Sequence, residues 1–153
     1  MILVDANVLL RLIQTGHPHQ QPAFEAIARL RLRDREQFVI CPQTLYEMYS
    51  ICTRPADVPN PGLGLTPTAA MAQVEAAERQ FDLQAEPPGL VSRWKELAVK
   101  CGVTGKSTHD ARLAALMVER RIPKLLTFND SHFVRYAEIV VLNPFDVLGV
   151  PHT

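Results

Sequence analysis

Short apolar runs separated by helical stretches constrain this chain most. "ILVD" (2–5), "QFVIC" (37–41), "KLLTF" (124–128) and "EIVVL" (138–142) each have the length of one strand. They carry few polar residues, as strands buried on both faces do. "FDLQAE" (81–86) reads as a further short strand. Between the runs, the apolar residues fall at helical spacing. "PQTLYEMYSICTR" aligns Leu45, Met48, Tyr49 and Cys52, with Pro42 in the first turn. "TPTAAMAQVEAAERQ" begins with Thr66 as cap and Pro67 at the first position, and "GLVSRWKELAVKCG" aligns Trp94, Leu97, Ala98 and Cys101 before Gly102 ends it. Helices are also expected over "NVLLRLI", over 17–36 and over 108–121, with a short helical turn between the last two strands. Strands alternating with helices predict an α/β domain with a parallel sheet. At 153 residues a single domain can bury a sizeable core.

In such sheets ligands gather at the carboxyl ends of the strands. That rule selects Asp5, which ends the first strand, and Asn129 and Asp130, which follow "LLTF". Lone aspartates in these places also serve as turn or helix caps. Glu47 lies on the helix face away from Leu45, Met48, Tyr49 and Cys52 and, taken alone, reads as a solvated glutamate.

The stretch "GVTGKSTHDARLAALM" (102–117) carries three signals. Gly105-Lys106-Ser107 mimics the end of a phosphate-binding loop, but that loop needs a glycine where Lys100 stands, and it follows a strand. Ser107 and Asp110 fit an S-x-x-D helix cap, with the acid near a helix N-terminus. Asp110 also heads a side shared with Leu113, Ala114, Met117 and Arg121, where a lone carboxylate is costly. Capping and function can coexist there. Acids brought together repel one another and call for a counter-charge, which a divalent cation with oxygen ligands supplies. The histidines and cysteines make no convincing zinc set: His17 and His19 read as surface residues of a loop, and His109 as a neighbour of Asp110.

Lys+Arg 16 balances Asp+Glu 16, so no global charge points to a nucleic acid. Arg11, Arg54, Lys106 and Arg112 lie near the acids and could serve locally, while "RLRLRDRE" (29–36) reads as a solvated helix end. Cys41, Cys52 and Cys101 read as buried thiols in a reducing compartment. Asp5, Asn7 and Arg11 interrupt the apolar N-terminus, so neither a signal peptide nor a membrane span is expected. A cytoplasmic protein is expected. The loop "PADVPNPGLGLTP" (55–67) has four prolines and two glycines, and its length suits a covering or partner-binding role.

Together, "ILVDANVLL", "TLYEMYSICTRP", "THDARLAALM" and "LLTFNDSHF" resemble the four motifs of the PIN-domain ribonucleases, and more closely those of VapC-type toxins of toxin–antitoxin pairs. "TRPADVPNPGLGLTP" resembles a linker of that branch. The resemblance implies a three-layer α/β/α sandwich and Mg²⁺- or Mn²⁺-dependent hydrolysis of RNA. It also implies a homodimer and inhibition by a cognate antitoxin. It carries over Asp5, Glu47 and Asp110 as catalytic metal ligands, with Asn7 as polar neighbour and Thr127 beside the fourth site. Asn129 stands where the all-acidic form has an acid, and Asp130 adjoins it. Which of the two fills that site, and whether one ion binds or two, stays open. An aspartyl-nucleophile phosphatase also begins with an acid after its first strand, but Asn7 replaces its second acid. A PIN fold that has lost catalysis and only binds a partner is the other alternative.

Overall fold

The computed structural model describes residues 1–152. Five parallel strands form one sheet in the order β3-β2-β1-β4-β5: β1 (Ile2–Val4), β2 (Phe38–Ile40), β3 (Asp82–Leu83), β4 (Lys124–Leu126) and β5 (Val140–Leu142). Side chains alternate across a pleated sheet, and the short strands use both sides. Ile2, Val4, Phe38, Ile40 and Leu126 face one core, whereas Leu3, Val39, Cys41 and Leu125 face the other. In β1 and β2, buried throughout, a polar position would have no solvent to reach, which explains their continuous apolar runs.

The first core is covered by α1 (Ala6–Ile13), α2 (Gln20–Arg33), α3 (Pro42–Thr53) and α4 (Pro67–Gln80), and the second by α5 (Leu90–Lys100) and α6 (Ser107–Arg120). The result is the expected α/β/α sandwich, with every strand pair parallel. A helix not anticipated from sequence, α7 (Pro144–Leu148), packs on α2. It is only five residues long, too short for a periodic signal, and the Asn143 cap on the Phe145 amide starts it. One 3₁₀ turn, Asp130–His132, connects β4 toward β5. No helix of the described residues is long and apolar enough to cross a membrane.

Residues 55–66 do not dangle. They fold back on the end of α3, where Leu63, Gly64 and Leu65 donate to the carbonyls of Ile51, Arg54 and Cys52. The loop thereby satisfies carbonyls that a helix end leaves unpaired. Gly62 permits this approach: a Cβ there would lie 2.3 Å from the Ile51 carbonyl oxygen and 2.5 Å from Arg54 Cβ. Gly62→Ala is therefore expected to destabilise the protein by about 1–3 kcal/mol, as overpacking does. A urea midpoint equal to that of the unsubstituted protein would contradict this.

Candidate active site

The strand order reverses between β1 and β4, and the crevice at such a switch point lies beyond the strand ends. Asp5 leaves β1 there and caps α1: its Oδ1 accepts from the Ala6 amide at 2.7 Å. Thr127 leaves β4 beside it, fully buried, and donates to Asp5 Oδ2 at 2.7 Å. Asn7 clamps the two strand ends. Its Nδ2 donates to Asp5 Oδ2 at 2.8 Å and to Thr127 Oγ1 at 2.9 Å, while its Oδ1 accepts from the Phe128 amide at 3.0 Å. A carboxylate has roughly four acceptor positions. Three of those on Asp5 are taken, and one remains.

Asp5 is 6% exposed. Burial, reinforced by the charges of Glu47 and Asp110, pushes its pKa up from 3.8 to about 6, against the Thr127 hydroxyl and the Ala6 amide, which favour the anion. Two acids distant in sequence thus act electrostatically on the first, as the motif reading requires. Asp110 stands in the first turn of α6 and is half-buried. Its burial raises its pKa, and His132, His109 and Arg135 oppose that rise. His132 Nδ1 lies 3.6 Å from Asp110 Oδ2.

The capping reading of Ser107 does not hold. Lys106 occupies the cap position without a side-chain bond, and Ser107 is the first helical residue. Its hydroxyl turns back on Thr104, donating to that carbonyl and accepting from that amide. Asp110 is an N-terminal helix acid without a capping box.

Glu47 is half-buried rather than freely solvated, because Gln43 holds it. Gln43, 6% exposed one turn earlier on α3, donates to Glu47 Oε1 at 2.8 Å and to the His109 carbonyl at 2.9 Å. Its own Oε1 accepts from Arg112 Nη1 at 2.7 Å, and Arg112 also pairs with Glu86. Gln43 therefore ties the helix of the second acid to the residue preceding the third. Gln43 belongs to no motif; its only signal in the sequence is the spacing of four residues from Glu47, which places both on one helix face. Gln43→Ala is expected to cost about 1–3 kcal/mol, because a carbonyl, a carboxylate and a guanidinium each lose a partner. Chemical denaturation checks this; an unchanged midpoint would show that the bridge contributes nothing.

Asn129 is exposed at the mouth of the crevice, and its amide donates to Thr127 Oγ1. Asp130 is half-buried, and its Oδ1 accepts from Asn143 at 3.0 Å. His17 and His19 are half-buried rather than surface groups, with His19 stacked on Phe128 at 4.7 Å between ring centroids. Cys41, Cys52 and Cys101 are free thiols.

The donor set suits a hard divalent cation. Glu47 Oε2 and Asp110 Oδ1 have no hydrogen-bond partner among the described residues, and Asp5 keeps an acceptor position. No three His, Cys, Asp or Glu side chains among the described residues form a ready cage. Mg²⁺ commonly takes only one or two carboxylates directly and completes its shell with water and substrate phosphate.

A family model described as PIN domain matches residues 2–139. No curated protein matches the sequence. Among solved structures, VapBC2 from Rickettsia felis bound to a DNA fragment from their promoter is similar at 13% identity and a TM-score of 0.69, over 94% of this chain and 98% of that one. FitAcB from Neisseria gonorrhoeae gives 15% and 0.68, over 95% and 99%. The Mycobacterium tuberculosis VapC20, a sarcin–ricin loop cleaving toxin, gives 19% and 0.58, over 82% and 87%. At these identities the likeness shows a shared fold.

Proposed function

Because this chain belongs to the PIN domain family, we propose that it is a metal-dependent endoribonuclease, the toxin of a toxin–antitoxin pair. The observation that supports this reading is that the charges of Glu47 and Asp110 act on the buried Asp5, which leaves β1 at the switch point of the sheet. Asp5 and Asp110 would hold Mg²⁺ or Mn²⁺, and Glu47 would assist the ion or orient the attacking water. When bound, the ion supplies positive charge against the scissile phosphate and a water of lowered pKa. Asn7 and Thr127 fix the Asp5 carboxylate and favour its anionic form. Asn129, exposed on the crevice, takes the fourth position, and Asp130, held by Asn143, shapes the turn below it.

The relative described as a sarcin–ricin loop cleaving toxin supports RNA as the substrate, and those named VapBC2 and FitAcB support an antitoxin partner. The reading extends to a homodimer in the cytoplasm. The test is RNA cleavage by the purified protein, freed of any antitoxin, with Mg²⁺, with Mn²⁺ and with EDTA. Cleavage that EDTA abolishes is expected. RNA left intact in every condition, or turnover of a small phosphomonoester instead, would overturn the reading.

A further inference from the structure

A cavity of about 530 Å³ opens beside the acids, and its lining contains no carboxylate. Arg11 and Arg54 enter it from α1 and from the end of α3, with His17, Asn7, Asn60 and Asn129 around them. Neither arginine takes part in an ion pair among the described residues. The Arg54 guanidinium has no hydrogen-bond partner there either, and Arg11 bonds only Gln14 through Nη1. Arg11 Nε is buried with no partner at all. Burial pulls the Arg11 pKa down, and burial followed by the Arg11 charge lowers that of His17. In a chain whose charges balance, two guanidiniums without acids in one cavity are an unsatisfied electrostatic demand.

The wall of this cavity is shared with the acid cluster. Asn7 lines it and also donates to Asp5. A second cavity, of about 500 Å³, lies on the Glu47 side and meets the first at Ile51 and Arg54. An extended anion crossing the acids would therefore run directly past both arginines. The fold-back of residues 55–66 supplies one wall through Asn60, Pro61, Gly62 and Leu63, which keeps the cavity to the size of a small ligand.

We propose that this cavity is a nucleotide subsite, in which Arg11 and Arg54 grip the phosphate of a single-stranded ribonucleotide flanking the cleaved bond. The inference rests on the nuclease reading above and adds to it where the strand lies. Arg54, at the junction of the two cavities, marks the path between them. Asn60 lines the same space and brings a side-chain amide to it.

The test is binding of a fluorescent single-stranded octaribonucleotide in EDTA, over a range of salt, to the intact protein and to Arg11→Ala, Arg54→Ala and Arg54→Lys. Arg33→Ala, on the exposed end of α2, is the control. Each alanine variant is expected to bind about tenfold more weakly near 0.1 M salt and to lose about 0.7 from the salt slope, as one phosphate contact to a single strand does. Arg54→Lys should keep most of the slope, and Arg33→Ala all of the affinity. Equal affinity and slope in every variant, or no binding by the intact protein, would overturn the proposal. If Arg11→Ala fails to fold, the Arg54 pair decides alone. Cleavage measured in parallel with Mg²⁺ separates the two readings. Cleavage with arginine-independent binding removes only the subsite, whereas arginine-dependent binding without cleavage removes only the nuclease.

Discussion

Asp5→Ala and Asp110→Asn are each expected to lower RNA cleavage by about a hundredfold or more, corresponding to about 3 kcal/mol of transition-state stabilisation. The two substitutions act differently on the fold. Asp110 is half-buried, and its one ion-pair approach among the described residues is to His132 at 3.6 Å, so its amide analogue should fold as the parent does. Asp5 anchors α1, Asn7 and Thr127, so its loss should also reduce stability. Even Asp5→Asn would set its amide against the Asn7 amide, which is held in place by the Phe128 backbone. Asp110→Asn is therefore the cleaner test. Full cleavage by folded Asp110→Asn would leave that residue as a helix-terminal acid and remove the catalytic reading of the cluster.

A second expectation concerns pH. An acid with a pKa of 3.8 when unfolded and about 6 when folded binds its proton more tightly in the folded protein. Its contribution is neutral below both values, becomes unfavourable as pH rises between them, and is fully unfavourable above 6. The difference amounts to about 3 kcal/mol, roughly half of it between pH 5 and 7.5. Asp110, also raised, acts in the same direction. Glu36 and Glu138, held low by Lys124 and Lys100, have the opposite sign, but their contribution is complete above the ordinary carboxylate range. His17, held low by burial and by Arg11, also opposes Asp5 and overlaps it in pH. For that reason the Asp5 carboxyl should be followed by its own ¹³C resonance alongside urea unfolding in EDTA. Saturating Mg²⁺ or Mn²⁺ should stabilise the protein at pH 7.5 and do little at pH 4.5, where Asp5 carries its proton. An Asp5 resonance titrating near 4, or equal metal stabilisation at both pH values, would contradict the account.

Part of the site can be read from the chain because strand ends are marked by apolar runs that stop. Asp5 after "ILV" and Asn129 after "LLTF" are found this way, and Thr66 with Pro67 announces its helix by cap chemistry alone. Glu47 is placed on the correct helix, but its half-buried state follows from Gln43, whose partners lie across the fold at His109 and Arg112. The Ser107 cap fails because Thr104, in the preceding turn, competes for the same hydroxyl. Arg112, a reasonable RNA contact in sequence, directs its guanidinium to Gln43 and Glu86. Arg11, Arg54 and Lys106, equally plausible beforehand, have no acidic partner among the described residues, and of these the two arginines line the cavity beside Asn7.

The sequence by itself determined the parallel α/β architecture, since two-sided burial forces unbroken apolar strands and helical crossovers force the spacing between them. It also offered Asp5, Glu47 and Asp110 as carboxylates for one site, Asp5 by its place at a strand end and the other two by their motifs. Only the tertiary structure decided how those carboxylates are held and charged. Desolvation of Asp5, the Asn7 clamp, the Gln43 bridge and the unpaired arginines depend on groups far apart in the chain, and a local pattern carries no record of such distances.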